Sequence, residues 1–177
     1  MREKAKASKA ESSKRSITPA NIRNILFVCT GNTCRSPLAA GFLKKLRERN
    51  SLCHMEIDSA GLTVLPGSPA SFHSLRVAAE NSVFLEEHQA RLVTPELIDK
   101  ADLIVVMEPG HRQQLHDRYP QASDKVLLLR HFARYGSRER GIPDPYGLNL
   151  ETYRFCFEDI KECVESLHEW LLQARKD

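Results

Sequence analysis

Four candidate strands alternate with stretches of helical periodicity along this chain of 177 residues. A short, continuous apolar run suits a strand that is buried on both faces. Strands that alternate with helices indicate a parallel sheet with helices packed on both of its faces. We therefore predict an α/β fold of three layers around a four-stranded parallel sheet, with strands at residues 25–28, 55–58, 103–107 and 126–129.

The segments between these strands have the apolar spacing of amphipathic helices. Leu38, Phe42 and Leu46 recur four residues apart, so their side chains share one face of a helix. Thr94 followed by Pro95 is typical of a helix start, because threonine caps a helix and proline fits its first turn. Helices are predicted at residues 37–49, 70–80, from 95 onward, 109–119 and 150–174.

The positive charge of the chain is concentrated at its N-terminal end. Residues 1–20 contain six basic and two acidic side chains, so the net charge of +3 becomes −1 without them. A nucleic-acid-binding protein needs a basic face on its folded body, so we expect no nucleic-acid partner. We interpret residues 1–21 as a basic disordered leader and residues 22–177 as one domain.

Hydropathy excludes a membrane protein at the level of the sequence. No stretch approaches about 18 consecutive apolar residues, and the N-terminal end lacks an apolar segment followed by a cleavage site. We therefore expect no membrane partner and a cytoplasmic location. The sequence leaves the oligomeric state open.

The five cysteines are an odd number, which fits free thiols better than a disulfide framework. Cys53, Cys156 and Cys163 are interpreted as ordinary packing residues. No His/Cys cluster has the spacing of a zinc site, so we expect neither a metal nor another cofactor.

The remaining two cysteines lie in the segment Cys-Thr-Gly-Asn-Thr-Cys-Arg-Ser at residues 29–36, between a predicted strand and a helix start. Backbone N–H groups at such a position attract an anion, and their field lowers the pKa of a nearby thiol. Cys29 is thus a candidate nucleophile, and the planar fork of Arg35 suits two phosphate oxygens. Gly31 permits close approach of a ligand and Asn32 tolerates a left-handed backbone. The candidate phosphate-binding residues are Thr30, Gly31, Asn32, Thr33, Cys34 and Ser36.

Asp144 stands between two prolines in a stretch without periodicity at residues 130–147. A loop of this length in a compact domain is usually functional or disordered. Flanking prolines stiffen the backbone that aims the carboxylate, and a leaving group needs a proton as its bond breaks. Asp144 is therefore a candidate general acid, and a plain turn aspartate is the alternative.

These motifs resemble, in order, those of the low-molecular-weight protein phosphatases, usually called tyrosine phosphatases. The resemblance includes Cys-Thr-Gly-Asn-Thr-Cys-Arg-Ser-Pro from Cys29, Asp-Ser-Ala-Gly from Asp58, His-Gln-Ala-Arg from His88 and Asp-Pro-Tyr from Asp144, and it covers about residues 22–175. It implies the fold of that family and phosphorylated proteins as substrates.

The resemblance also implies a role for each site residue. Cys29 forms a phosphocysteine, Arg35 binds the phosphoryl oxygens, and Asp144 first donates a proton and then activates water. Ser36 hydrogen-bonds the Cys29 sulfur, and Asn32 holds the loop through Ser59 and His88. Cys34 either forms a disulfide with an oxidised Cys29 or contributes only to the cradle.

Two positions bear on the substrate. Tyrosine-directed members of the family commonly carry a bulky aliphatic residue where this chain has Thr33, which is similar to the protein-arginine phosphatases. Tyr146 is followed by Gly147, where many tyrosine-directed members have a second aromatic residue to stack on a phenyl ring. We therefore favour phosphoarginine slightly over phosphotyrosine as the substrate, with a protein-tyrosine phosphatase as the alternative.

Two other functional classes are more distant alternatives. Arsenate reductases share this fold but need additional cysteines in a mobile loop, and residues 71–94 contain none. A non-catalytic phosphoprotein-binding module needs neither a nucleophile nor an acid, whereas this chain carries Cys29, Arg35 and Asp144.

Overall fold

A computed structural model describes residues 17–48 and 52–173. Four strands form one parallel sheet in the order β2-β1-β3-β4. This confirms the predicted three-layer α/β fold. The strands are β1 (Asn24–Cys29), β2 (Glu56–Gly61), β3 (Leu103–Val106) and β4 (Val126–Leu128).

Five α-helices connect or follow these strands. Ser71 caps α2 by accepting from the Ser74 N–H, and Thr94 caps α3 by accepting from the Leu97 N–H, as threonine before proline predicts. The helices are α1 (Arg35–Arg47), α2 (Phe72–Glu80), α3 (Pro95–Lys100), α4 (Pro109–Arg118) and α5 (Leu150–Gln173), and short 3₁₀ helices at Pro19–Asn21, Pro120–Lys125 and Leu129–Phe132 were not predicted.

Each face of the sheet has its own apolar core, which explains the continuous apolar run in β1. Successive side chains of a strand point to opposite faces. Phe27 packs into the larger core with α1, α2 and α5, while Leu26 and Val28 pack into the smaller core with α3 and α4. Both cores are closed to water, so β1 lies at the centre of the protein.

The predicted leader is only partly described. Residues 1–16 lie outside the described residues, as do the predicted helix ends at residues 49 and 174. Residues 17–21 were assigned to the leader, but here Ile17 packs against the larger core and a 3₁₀ helix follows it. The described structure thus begins five residues before the predicted start of the domain.

The topology places the candidate site at the carboxyl edge of the sheet. Cys29 is the last residue of β1, which lies between β2 and β3. Ligands of such sheets bind in the crevice beyond the carboxyl ends of the strands. In the part of the chain that the structure describes, no helix has the length and apolar character needed to cross a membrane.

Candidate active site

The candidate phosphate-binding loop, residues 29–36, connects β1 to α1 and wraps around the Cys29 sulfur. The sulfur accepts a hydrogen bond from the Asn32 N–H at 3.3 Å and lies 3.0 Å from Ser36 Oγ. Asn32 has a φ of 55°, the left-handed conformation that the sequence predicted. The helix begins at Arg35, two residues before its predicted start, so Arg35 and Ser36 are fixed by its first turn.

Asn32 is fully buried and holds the loop to three neighbouring segments. Its amide nitrogen donates to Ser36 Oγ and to Ser59 Oγ, both at 2.9 Å. Its side-chain oxygen accepts from the Arg91 N–H at 3.0 Å, and its backbone oxygen lies 2.7 Å from His88 Nε2. A buried amide with all these partners fixes the loop before any ligand binds.

Gly61, at the end of β2, allows the loop to lie against the sheet. A Cβ at this position would lie 2.6 Å from the Thr30 carbonyl oxygen and 2.9 Å from the Asn32 nitrogen. Side chains larger than hydrogen do not fit there. The sequence analysis gave Gly61 no role of its own, although it closes the Asp-Ser-Ala-Gly motif.

The Cys29 pKa differs from the sequence-based expectation. Burial raises the pKa of the Cys29 thiol above its ordinary value, and the hydrogen bonds from Ser36, the charge of Arg35 and the Asn32 N–H oppose that rise without cancelling it. The expected lowering is therefore wrong. Arg35 is paired with two carboxylates here, which weakens its positive field at the sulfur.

Arg35 is almost fully buried and joins the loop to two acidic residues. One of its terminal nitrogens donates to the Ile142 carbonyl oxygen at 3.0 Å and forms an ion pair with Glu108. The other donates to Asp144 Oδ2 at 2.6 Å. The guanidinium thus faces the same space as Cys29 and the candidate acid.

Asp144 lies in a loop that is attached to the sheet just before it. The Ile142 N–H donates to the Met107 carbonyl oxygen at 2.7 Å, at the end of β3. A Cβ at Gly141 would lie 2.7 Å from Glu108 Cγ, so the chain passes close to that side chain. Asp144 itself is 42% exposed and its Oδ1 accepts from the Tyr146 N–H at 3.2 Å.

A cavity of about 360 Å³ opens between the loop and Asp144. Asn32 and Ser36, which the sequence assigned to phosphate binding, do not line it, because their buried side chains support the loop from behind. Two exposed apolar side chains flank the opening, Leu65 and Tyr146. The lining residues are Cys29, Thr30, Gly31, Thr33, Cys34, Arg35, Thr63, Leu65, Ser68, Asp144 and Tyr146.

Sequence reasoning missed two polar residues beside the site. Glu108 pairs with Arg35, and His111 Nε2 lies 2.9 Å from Thr30 Oγ1. Burial, followed by the charge of Arg35, lowers the pKa of His111. Both residues come directly after β3, and their position beyond a strand adjacent to β1 is a signal that could have identified them.

No group of three or more His, Cys, Asp or Glu side chains within residues 17–48 and 52–173 is arranged to hold a metal ion. The five cysteines are free thiols. The acids nearest the nucleophile are both paired with Arg35. The arrangement offers one nucleophile, one cation and one exposed carboxylate around a small cavity, which suits transfer of a phosphoryl group.

Comparison with known proteins agrees with this chemistry. A sequence profile described as low molecular weight phosphotyrosine protein phosphatase matches residues 24–177. This chain belongs to that family. It is therefore a protein phosphatase, as the resemblance in sequence predicted.

Relatives of this phosphatase differ in their named substrates. It is 37% identical to a protein-arginine-phosphatase of Geobacillus stearothermophilus, over 83% of this chain and 95% of the relative. It is 38% identical to the low molecular weight protein-tyrosine-phosphatase Wzb of Escherichia coli strain K12, over 73% and 82%. Among solved structures, a mutant of the YwlE arginine phosphatase with a phosphorylated active site serine matches with a TM-score of 0.80 and 31% identity, covering 86% of this chain and 98% of that one.

Proposed function

We propose that this phosphatase hydrolyses phosphorylated protein side chains through a phosphocysteine at Cys29, with phosphoarginine preferred over phosphotyrosine. The observation that carries the proposal is the convergence of Cys29, Arg35 and Asp144 on one cavity whose wall includes Thr33. These three residues are separated by up to 115 positions in the sequence. A binding module has no need for such a set.

In the first step, the Cys29 thiol gives its proton to the Asp144 carboxylate, which lines the same cavity. The resulting thiolate attacks phosphorus, and a sulfur–phosphorus bond forms while the bond to the substrate nitrogen or oxygen breaks. The phosphoryl oxygens bind the loop N–H groups and Arg35, which takes them in place of its contact with Asp144. Protonated Asp144 then donates its proton to the departing atom. The products of this step are the dephosphorylated side chain and the phosphocysteine.

In the second step, Asp144 takes a proton from water as the water oxygen attacks phosphorus. The sulfur–phosphorus bond breaks, and inorganic phosphate and the Cys29 thiolate are released. The departing sulfur receives hydrogen bonds from Ser36 and from the Asn32 N–H, which stabilise its charge. Asp144 is protonated again, so the cycle closes.

The cavity wall supports the preference for phosphoarginine. Thr33, Thr63 and Ser68 belong to its lining, and their hydroxyl groups can accept hydrogen bonds from a guanidinium, which a phenyl ring cannot donate. A relative that aligns with most of this chain is named a protein-arginine-phosphatase. The tyrosine-phosphatase alternative is supported by the apolar side chains of Leu65 and Tyr146 at the cavity mouth.

The test compares kcat/KM on two peptides of one sequence that carry phosphoarginine or phosphotyrosine. We expect phosphoarginine to be preferred, and Thr33→Ile to shift the ratio at least about tenfold toward phosphotyrosine, roughly 1.4 kcal/mol of discrimination. Thr63→Ile is the matched control, since it makes the same change elsewhere on the wall. A preference for phosphotyrosine in the unmodified protein would contradict the arginine assignment and leave the cysteine mechanism in place.

The covalent step is tested separately. Cys29→Ser should retain one phosphoryl group on position 29 after exposure to substrate, detected by mass spectrometry, and Cys29→Ala should retain none. Turnover should fall to background in both variants. Substrate binding without turnover in the unmodified protein would instead indicate a phosphoprotein-binding module, and thiol-dependent reduction of arsenate would indicate a reductase.

A further inference from the structure

We propose that Tyr153 of α5 is a positioning residue for substrate selectivity, because its hydroxyl fixes the wall formed by Thr33 and Cys34. This inference rests on the proposed function, because it names the residue that holds the wall by which that site selects its substrate. Tyr153 does not line the cavity and has no part in the sequence-based assignment. It lies 119 positions from Cys34 in the sequence.

The Tyr153 hydroxyl, the Cys34 thiol and the Ser71 hydroxyl lie within hydrogen-bonding distance of one another. The Cys34 thiol donates to Ser71 Oγ at 3.4 Å. The single Ser71 hydroxyl proton can go to the Tyr153 hydroxyl oxygen at 3.3 Å or to Ser74 Oγ at 2.8 Å. The Tyr153 hydroxyl lies 3.4 Å from Cys34 Sγ and can donate to it. The buried Tyr153 hydroxyl thus has two polar neighbours, Cys34 Sγ and Ser71 Oγ, and its own proton is available to the sulfur.

The same segment holds the backbone of Thr33. The Ser71 N–H donates to the Thr33 carbonyl oxygen at 2.8 Å, and Ser71 also caps α2. Thr33 Oγ1 lies 3.6 Å from Cys34 Sγ, the sulfur that the Tyr153 hydroxyl contacts. The Tyr153 hydroxyl is therefore linked to the Thr33 side chain through one atom, the Cys34 sulfur.

This support is separate from the one that holds the nucleophile. Cys29 is held by Asn32 and Ser36, which bond to β2 and to the segment around His88 and not to Tyr153. Loss of the Tyr153 hydroxyl should thus loosen the selective wall without moving the sulfur that attacks. The hydroxyl remains a neutral donor near neutral pH, since burial, and then its bond with Cys34, raise the pKa of Tyr153.

Tyr153→Phe is the informative change, because the ring and its edge contact with His73 (centroids 5.2 Å apart) are kept. We expect the ratio of kcat/KM for phosphoarginine over phosphotyrosine to move about fivefold toward unity, the effect of losing one neutral hydrogen bond. Turnover of a small aryl phosphate, which needs the nucleophile and not the wall, should stay within about twofold. The matched control is Tyr135→Phe, which removes a hydroxyl from an exposed ring outside the cavity.

A double-mutant cycle links the effect to the sulfur. Adding Tyr153→Phe to Cys34→Ala should leave the ratio unchanged, because the hydroxyl no longer has that partner. An unchanged ratio in Tyr153→Phe, with Thr33→Ile still shifting it, would overturn the positioning role and leave the proposed function intact. Preference for phosphotyrosine in the unmodified protein would overturn the arginine assignment, and the shift in Tyr153→Phe would still decide the positioning role. Equal losses on the aryl phosphate and both peptides would also overturn it, since they indicate general damage to the loop.

Discussion

The candidate phosphate-binding loop and the loop that carries Asp144 differ in how their site residues are held. In the phosphate-binding loop, Asn32 is fully buried and hydrogen-bonded to segments far away in sequence. In the acid loop, residues 134–141 are exposed or half-buried, and the Asp144 side chain contacts Arg35 and the Tyr146 N–H. The phosphate-binding loop is held from behind by the protein, whereas the Asp144 carboxylate is held mainly through Arg35.

This difference suggests an order of events in the proposed reaction. The nucleophile side is preorganised, so little reorganisation is required where the new bond forms. On the acid side, phosphoryl oxygens compete with Asp144 for Arg35. We expect substrate binding to break that ion pair and so free the carboxyl group to act on the leaving atom.

The largest expected loss of activity is that of Asp144→Asn, which tests the acid side of the site. An amide cannot donate a proton to the leaving group or activate water, so kcat should fall about 10²–10⁴-fold with little change in KM. The loss should be smaller for a substrate whose leaving group needs no proton. Values of kcat/KM on aryl phosphates of graded leaving-group pKa measure this, because they report the step in which the leaving group departs. An equal loss of kcat/KM across the series would contradict the acid role.

Asn32→Ala tests the preorganised phosphate-binding loop. We expect kcat/KM to fall about 10–100-fold, which is less than the loss expected for Asp144→Asn. The free energy of unfolding should fall by about 3 kcal/mol, because buried partners lose their hydrogen bonds and alanine is strained at positive φ. Urea denaturation and kcat/KM measure the two effects. Asn32→Gly is the control, because it loses the same hydrogen bonds as Asn32→Ala but is not strained at positive φ. It should therefore be more stable than Asn32→Ala and have little more activity.

Gly141→Ala tests the attachment of the acid loop to β3. The added methyl group would lie 2.7 Å from Glu108 Cγ and 3.0 Å from the Met107 carbonyl oxygen, so the chain before Asp144 must shift. We expect kcat to fall severalfold with a stability change below about 1 kcal/mol, since the loop is mostly exposed. Gly110→Ala, where an added Cβ meets nothing within 4 Å, is the matched control. Equal kinetics in both variants would show that this attachment does not position the acid.

The smallest expected effect is the pH dependence of stability. Burial lowers the pKa of His88 despite its bond to Asn32, with Lys44 and Arg91 adding to the lowering, and burial likewise lowers the pKa of His168. A folded pKa below the unfolded value of about 6.5 means that the unfolded chain takes up protons first, so stability falls as pH decreases below about 6.5.

Urea denaturation between about pH 7.5 and 5.5 checks this slope, in a window above the ordinary pKa of carboxyl groups. His88→Gln removes the titrating ring and keeps a donor for the Asn32 carbonyl oxygen, so its slope should be shallower. A slope equal to that of the unmodified protein would show that the titration of His88 does not affect the stability of the loop.

Local pattern was enough to predict the elements and their order. The apolar run of β1, the proline after Ser36 and the Thr94 cap each depend on neighbours in sequence, and each predicted element is present. The 3₁₀ helix at Leu129–Phe132 was not predicted, because its apolar residues continue the pattern of β4. Two of the five helix starts differ from the prediction, each by two residues. The helix α1 begins earlier because its first turn contains polar Arg35 and Ser36, and α2 begins later, at Phe72.

Residue types and spacing were enough to predict which groups this site contains: a cysteine and an arginine at a helix start, and an aspartate between two prolines. How those groups affect one another depends on the folded chain. Glu108 joins Asp144 on Arg35, and Tyr153 reaches Cys34 from the last helix. Burial raises the Cys29 pKa that the motif alone suggested would be lowered. Side-chain identity and spacing are local properties, whereas the solvation and charge around a buried atom depend on every segment that the fold brings to it.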